Sequence, residues 1–555
     1  MKIRYFYLLL TSLMFACKSD SEFLSENPET TYTIENAFTT SEQVDQVVVG
    51  CYYQVRNMMC NDGNAVILKG NGTDVLDVPL MRMTDTFADY SKVHPLNGKI
   101  KSLFDDFYKL VQRANLALYV SELPHISWAS ESTKKYVVAQ AKFFRAYAYR
   151  NLGELFGGVP LVTQMYFEPK YDFVRSTRIE TYQYAIDDLE AALPALPEKT
   201  KQGGRVVKGA AQHYLSELYL AKGIEEEQTG VSGTASFDKA IEYANSIIDG
   251  SVYSLMTQRF GTRKNEVDKS VWWDLFRMGN VNYQDGNKEC IWAFQIDFDA
   301  YLAEDKKSFL PYPRNYMPVL RNIEGFDGMA EDAGGRGIAA VTPTFYTRET
   351  IWEGELWNDM RNAEHNITRT IYYNDPKYPN LIGKPIPYSV MYKNDDFKSK
   401  CFPLFMKLTT DQFVGLDKGE NRSNIFRDEY AIRLPETILL RAEAYLRKGD
   451  KVKAAYDINL IRDRAQCTYR VAPSNIDLDF ILDERARELY VEECRWNTLL
   501  RMGGTVAVDR IRKYAMWPVT KATLTFDYNL WPIPQSVIDR NMQAVIEQNP
   551  GWSNR

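Results

Sequence analysis

The stretch YVVAQAKFFRAYAYRNLGEL at residues 136–155, followed by FGGVP at 156–160, predicts a long helix and the point where it ends. Its apolar side chains recur every three or four residues, which places them on one face of a helix. These residues are Val137, Ala141, Phe144, Ala148, Leu152 and Leu155. The glycines at 157 and 158 favour a helix end, and Pro160 follows as expected after one. We therefore predict an amphipathic helix over residues 136–155.

The same spacing predicts helices in both terminal parts of the chain. The expected helices cover residues 180–193, 207–222, 237–248, 435–448, 451–465 and 478–501, and a further helical pattern begins at Ile34. Gly449 fits a left-handed helix end, and Asp450 fits the cap of the next helix. Paired helices joined by short turns, with alanines at the crossings, are typical of tetratricopeptide units. We predict a mostly α fold with irregular tetratricopeptide-like repeats at residues 34–250 and 431–555, the latter including a closing segment.

Two segments lack this periodicity. Residues 251–430 are rich in Gly, Pro, Tyr and Trp, with short strand-like stretches at 290–298 and 368–373, and we interpret them as a loop-rich insert. A second irregular stretch covers residues 61–99. A compact domain rarely keeps so much irregular chain without using it. We therefore predict that these two segments form the recognition face of a helical scaffold.

The N-terminus has the order of an export signal. It contains Lys2 and Arg4, an apolar run at about 5–15, then Ala16 and Cys17. The apolar run is too short to span a bilayer stably. The pattern resembles a bacterial lipoprotein signal, so we predict residues 1–17 as the signal, lipid attachment at Cys17, and a polar tether at 18–33. The alternative is a plain signal peptide with a chance cysteine.

Composition limits the class of protein. The chain has 555 residues, 45% of them hydrophobic and 25% charged, which is enough for a large core. A net charge of −6 argues against a nucleic-acid-binding surface, which needs a basic stripe. Apart from Cys17, the cysteines form no CxxC pair: Cys51, Cys60, Cys290, Cys401, Cys467 and Cys494. Because Cys51 and Cys60 would stand ~13 Å apart on one helix, we predict buried single thiols rather than a disulfide.

Motifs of catalysis are missing from the sequence. It contains no HExxH, GxSxG or GxxxxGK[ST], and its histidines at 94, 125, 213 and 365 are scattered. His213 has no second ligand four residues on, so a solvated or hydrogen-bonded role is favoured over zinc. Neighbouring acids such as Glu492 and Glu493 point about 100° apart on a helix, and we interpret most such pairs as a solvated face. We predict a non-enzymatic protein.

Residues 327–332, DGMAED, offer oxygen ligands that suit a calcium ion. Their spacing departs from that of an EF-hand loop, so an ordinary glycine turn is the favoured interpretation. We predict no cofactor, with a structural calcium ion as the alternative.

Aromatic residues are the remaining signal. Ten Trp, 36 Tyr and 27 Phe make up 13% of the chain, and a flat ring can lie against the C–H face of a sugar. We expect Trp272, Trp273 and Trp292 to lie in the core. The candidate glycan-binding residues, expected to be exposed on the irregular segments, are Arg82, Tyr90, His94, Tyr301, Tyr312 and Tyr316.

Several segments together resemble the SusD/RagB family of surface glycan-binding lipoproteins. They are FLSENP at 23–28, AKFFRAYAY at 141–149 with LFGGVP at 155–160, KGAA at 208–211, LRAEAYL at 440–446, NLIRDRA at 459–465, WPIPQ at 531–535 and QNPGW at 548–552. They occur in the family's order over nearly the whole chain. These motifs are structural, and the family's glycan-binding loops vary, so no site residue is transferred from them.

The resemblance implies a location, partners and a function. It implies anchoring to the outer membrane by lipid, facing the cell exterior, and closure like a hinged lid over a SusC-like TonB-dependent barrel transporter. It also implies capture of oligosaccharide or polysaccharide without cleavage. Two other functions remain open from the sequence: a secreted glycoside hydrolase and a protein-interaction scaffold.

Overall fold

A computed structural model describes residues 34–303, 308–327, 335–410, 423–525 and 529–552. The signal, Cys17, the tether at 18–33 and most of the candidate calcium segment at 327–332 lie outside the described residues. No helix within those ranges is long and apolar enough to cross a membrane.

The prediction of a mostly α fold is confirmed. The longer helices are α1 (Ser41–Cys60), α2 (Gly98–Ser121), α3 (Glu131–Phe156), α4 (Arg178–Ala192), α5 (Lys208–Gln228), α6 (Thr234–Ile248), α7 (Leu434–Arg447), α8 (Lys451–Arg464), α9 (Leu478–Leu489) and α10 (Val506–Tyr514). Most of these bounds lie within a few residues of those predicted from apolar spacing.

Local sequence explains several helix ends. Thr40 caps α1 and Thr177 caps α4, each in a reciprocal arrangement with a Gln or Glu three residues on. Asp450 caps α8 by accepting a hydrogen bond from the Lys453 amide, as predicted. Helix α3 ends at Gly157, whose φ of 77° is a left-handed conformation that favours glycine.

Successive helices pack against each other from α1 to α6. Helix α6 then packs against α7, although the insert separates them in sequence, and α7 packs against both α8 and α9. The two helical parts therefore form one continuous array, and the insert connects α6 to α7.

The predicted helix at 478–501 is interrupted, so that prediction is wrong in its centre. Helix α9 ends at Leu489, Val491 has a left-handed φ of 61°, and a new short helix begins at Arg495. Glu492 and Glu493 lie in this break. Glu493 is buried, and Glu492 is half-buried with a side chain only 7% exposed, so neither carboxylate is solvated as the sequence suggested. Their carboxylates pair with Arg433 at 2.8 Å and Arg485 at 2.7 Å, respectively. Arg433 lies too far away in sequence for local spacing to reveal it, whereas Arg485 lies on the helix directly before the break.

Three short antiparallel pairs of strands are present in the described residues: β1 (Leu76–Asp77) with β3 (Thr342–Pro343), β2 (Cys290–Phe294) with β6 (Glu429–Arg433), and β4 (Ile367–Thr368) with β5 (Leu404–Phe405). The β1–β3 pair matters most for the site, because it joins the irregular segment at 61–99 to the insert.

A buried network of ion pairs fastens the insert to the C-terminal helices. Arg433 contacts Glu289 at 2.7 Å and Glu488 at 2.7 Å, in addition to Glu492. Arg361 of the insert contacts Glu488 at 3.0 Å and Arg464 also pairs with it. These side chains are buried, so their charges lose most of their hydration. The ion pairs between carboxylates and guanidinium groups compensate for that loss.

Other predictions for the core are confirmed. Trp272, Trp273 and Trp292 are buried. The cysteines in the described residues are free thiols, all buried except the half-buried Cys494. His213 is buried and hydrogen-bonded through Nδ1 to Thr437 Oγ1 at 2.8 Å, and burial lowers its pKa to about 3. A neutral, hydrogen-bonded histidine fits this position better than a metal ligand.

Candidate functional site

A cleft of about 900 Å³ lies where the two irregular segments meet. One wall comes from residues between 62 and 102, and the other from Arg314, Asn315, Ile338 and Ala340 of the insert. The lining residues include Asp62, Asn64, Asn71, Arg82, Thr84, Asp85, Lys99, Ser102, Arg314, Asn315, Ile338 and Ala340. We refer to it as the polar cleft. Its position matches the face predicted for recognition.

Tight backbone packing shapes the first wall. Gly72 has a φ of 81°, and a Cβ atom there would stand 2.6 Å from Phe87 Cβ, so only glycine fits without rearrangement. The Tyr90 hydroxyl donates a hydrogen bond to the Gly72 carbonyl. Farther along, a single helical turn at Leu80–Arg82 brings Arg82 to the cleft.

Opposite charges pair within the polar cleft. Arg314 contacts Asp62 at 3.0 Å, and Lys99 contacts Asp85 at 2.7 Å. Asp85 also accepts a hydrogen bond from the Phe87 amide at 3.1 Å. Arg82 is exposed and has no ion-pair partner among the described residues. Among the described residues of the cleft, the carboxylates of Asp62 and Asp85 are thus both paired with cations, and the guanidinium of Arg82 is not paired with a carboxylate.

Two buried side-chain amides line the polar cleft, and in each of them one polar atom has no hydrogen-bond partner among the described residues. Asn71 and Asn315 are only 4% and 3% exposed. Asn71 Oδ1 and Asn315 Nδ2 have no hydrogen-bond partner among the described residues. Buried polar groups are nearly always hydrogen-bonded, so such atoms in a cleft wall are suited to a polar ligand.

The expected exposure of Tyr312 and Tyr316 is wrong. Both rings are 1% exposed and lie edge to face at 5.3 Å. They stand four residues apart on the short helix Tyr312–Tyr316, so they share the face that meets the core. Arg314, between them, points to the cleft instead. Burial raises the pKa of each phenol well above its usual value.

The expected exposure of Tyr90 is also wrong. Its ring is fully buried and contacts Trp496 at 6.2 Å between centroids, because its hydroxyl is held by the Gly72 carbonyl deep in the loop. His94 is half-buried and accepts a hydrogen bond from the Leu96 amide through Nδ1 at 3.2 Å. Neither lines the polar cleft.

Tyr301 is half-buried in a cluster of rings outside the polar cleft. It contacts Phe426 at 5.1 Å and Phe309 at 5.9 Å between centroids. Of the six candidate residues, the structure therefore brings only Arg82 to the polar cleft. Asn71 and Asn315 were missed, and no local sequence signal marks them, since their roles depend on the meeting of two distant segments.

A second cleft, of about 350 Å³, has a different character. It lies between α2, the loop after α3 and the closing segment. Its lining includes Phe104, Tyr108, Tyr171, Phe173, Lys170, Arg540 and Asn541. We refer to it as the ring-lined cleft. Rings beside polar side chains are an alternative arrangement for holding a sugar.

Among the described residues that line the polar cleft, Asp62 and Asp85 are the carboxylates that catalysis could use. The two carboxylates of the polar cleft, Asp62 and Asp85, are both engaged by cations. No group of three or more His, Cys, Asp or Glu within the described ranges is placed to hold a metal ion.

Comparison with known proteins gives two matching family models. The model described as "SusD family" matches residues 288–552, and the model described as "Starch-binding associating with outer membrane" matches residues 22–220. The chain is 35% identical to the starch-binding protein SusD of Bacteroides thetaiotaomicron over 454 residues, which cover 75% of this chain and 72% of that protein. It is 24% identical to SusD-like protein P2 of Formosa agariphila, with 99% of both chains covered.

Solved structures share the fold. A SusD homologue from Bacteroides thetaiotaomicron aligns with a TM-score of 0.71 and 18% identity, covering 96% of this chain and 99% of that one. Surface glycan-binding protein A from the same organism, in complex with laminarihexaose, aligns with a TM-score of 0.67 and 19% identity, covering 92% and 100%.

Proposed function

The chain belongs to the SusD family, and we propose that it is a surface receptor that binds oligosaccharide or polysaccharide in the polar cleft. The observation that carries this proposal is the cleft itself, because it lies at the junction of the two irregular segments. Its volume of about 900 Å³ falls within the usual range for ligand sites. Its amide, hydroxyl and guanidinium groups suit the hydroxyls of a sugar.

The proposed receptor acts without cleaving its ligand. A glycosidase needs two carboxyl groups at a fixed separation across the bound sugar, one of them free to donate a proton. In the polar cleft, Asp62 and Asp85 are both held in ion pairs. Release of shortened products by the purified chain would support the hydrolase alternative instead.

We further propose that Cys17 anchors the chain by lipid to the outer membrane, facing the exterior, where it passes glycan to a SusC-like TonB-dependent transporter. Support comes from the signal-like order of residues 1–17 and from the family description that mentions association with the outer membrane. Cys17→Ala is expected to move the protein from the membrane fraction to the soluble fraction. Co-purification with a barrel transporter tests the partnership.

Isothermal titration of the mature chain without its lipid cysteine, residues 18–555, against a panel of glycans tests the binding function. We expect saturable binding of at least one glycan. Failure to bind any oligosaccharide or polysaccharide, with the barrel still co-purified, would favour the protein-interaction scaffold.

A further inference from the structure

We infer that the polar cleft selects an acidic glycan and that Arg82 binds the anionic group, a uronate carboxylate or a sulfate ester. This inference rests on the proposed function and names the ligand class for the same site. It depends on three features of the cleft: its charges, its unpartnered amides and the chemistry of its walls.

The charge balance of the cleft leaves one cation unused. Five charged side chains among the described residues line it, and four of these form the pairs Arg314 with Asp62 and Lys99 with Asp85. The remaining guanidinium is that of Arg82. The chain as a whole carries a net charge of −6, so general attraction does not recruit an anion here. The local positive charge of Arg82 is therefore the feature that would hold an anionic ligand in the cleft.

The backbone of Arg82 is fixed by hydrogen bonds, whereas its side chain is exposed. Its amide donates a hydrogen bond to the Pro79 carbonyl at 2.8 Å, and its carbonyl accepts one from the Asp85 amide at 2.9 Å. The exposed guanidinium thus extends from a fixed turn. Its planar fork of donors matches the two oxygens of a carboxylate or sulfate, with stronger hydrogen bonds than neutral groups make.

The unpartnered amides provide complementary positions for sugar hydroxyls. Asn71 Oδ1 is an acceptor and Asn315 Nδ2 is a donor, and each is buried without a partner among the described residues. They lie on opposite walls, one in the 61–99 segment and one in the insert. A sugar hydroxyl can donate to the first and accept from the second.

The walls of the polar cleft favour a charged ligand over a neutral one. None of the described residues that line it is aromatic. Uncharged sugars are often held by stacking on an aromatic ring, and the described walls of the polar cleft offer no ring for such stacking. The rings lie instead in the ring-lined cleft. Charge and hydrogen bonding are the interactions that the polar cleft offers.

The test compares matched ligands by isothermal titration of residues 18–555. One arm uses an oligogalacturonate and its carboxyl-reduced form, which keeps length and linkage but removes the charge. The other uses a carrageenan oligosaccharide and its desulfated form. We expect one acidic member to bind at least about tenfold more tightly than its neutral counterpart, as a charge-assisted hydrogen bond provides. The arm that responds identifies the anion.

Variants assign the effect to Arg82. Arg82→Gln is expected to weaken the acidic ligand about tenfold and to remove most of its preference over the neutral form, whereas Arg82→Lys retains part of it. Arg470→Gln is the matched control, because Arg470 is also exposed but lines neither the polar cleft nor the ring-lined cleft. It is expected to leave the affinity unchanged.

The possible failures are distinguishable. Equal binding of charged and neutral ligands, or an equal loss in Arg82→Gln and Arg470→Gln, would overturn the inference while the receptor function stands. Binding of neutral glycans alone would do the same. No binding of any glycan would remove the proposed function and this inference together.

Discussion

Arg433 in the core and Arg82 in the polar cleft show two uses of the same side chain. Arg433 is 1% exposed and contacts three glutamates, Glu289, Glu488 and Glu492. Arg82 is exposed and contacts no carboxylate among the described residues. A buried guanidinium must be compensated by the protein's own anions. One that the protein leaves uncompensated beside a cleft is available to an anion from outside.

The largest effect is expected from removing the structural arginine. Arg433→Met leaves Glu289, Glu488 and Glu492 short of a cation in the core, so we predict a loss of about 3–5 kcal/mol in the free energy of unfolding. Chemical denaturation measures it. Arg540→Met is the control, since an exposed arginine with no ion pair in the described part of the chain should change stability by less than about 0.5 kcal/mol. Equal, small effects would show that the buried network contributes little.

Acid should weaken the junction between the first irregular segment and the C-terminal helices. Burial opposes ionisation of Asp74, but Arg495 and Arg510 outweigh it and lower its pKa from 3.8 to about 2. A depressed pKa gives stability that is present above pH 3.8 and lost as the pH falls through about 2. We predict a contribution of about 2 kcal/mol to the free energy of unfolding at neutral pH.

Denaturant titrations from about pH 5 to about pH 2 test this contribution. Asp74→Asn should be less stable than the wild type at neutral pH and should lose less stability on acidification. If both proteins lose stability equally over this range, the Asp74 ion pairs are not its source.

The helical frame was predictable from sequence because its determinants are local. Apolar spacing, the glycine at 157 and the cap at Asp450 lie within a few residues of the ends they determine. The break at Val491 was not predictable, because it accompanies ion pairs with distant residues such as Arg433.

The candidate site was predicted in its location but not in its composition. The irregular segments at 61–99 and 251–430 do supply its walls. Local composition around Tyr312 and Tyr316, with its prolines and charges, suggested exposure. It does not reveal which face of a short helix meets the core, and that face carries both rings.

A smaller effect is expected at Asn315, where function and stability should oppose each other. An unpartnered buried amide costs folding free energy, so Asn315→Leu is predicted to raise the free energy of unfolding by about 1 kcal/mol while lowering glycan affinity. Thermal unfolding and titration calorimetry measure the two.

Asn459→Leu is the matched control for this variant. Asn459 is also buried, but its amide donates to the Val471 carbonyl at 3.1 Å and accepts from the Val471 amide at 2.9 Å. This variant should therefore be destabilised. Loss of stability at both positions would show that Asn315 is satisfied in the free protein.

The smallest effect on stability is expected at Arg82. Arg82→Gln removes no ion pair of the side chain with the described residues, so we predict a change of less than about 0.5 kcal/mol in the free energy of unfolding. Thermal unfolding without ligand measures it. A loss comparable to that of Arg433→Met would mean that Arg82 has a structural partner, and the contrast between the two arginines would disappear.

Hydrogen exchange with and without a bound glycan tests most directly whether the polar cleft is the ligand site. The account predicts that glycan slows amide exchange in residues 62–102 and at 314–315 and 338–340, the two walls of that cleft. Protection confined to residues 160–173 and 536–546, which border the ring-lined cleft, would contradict it.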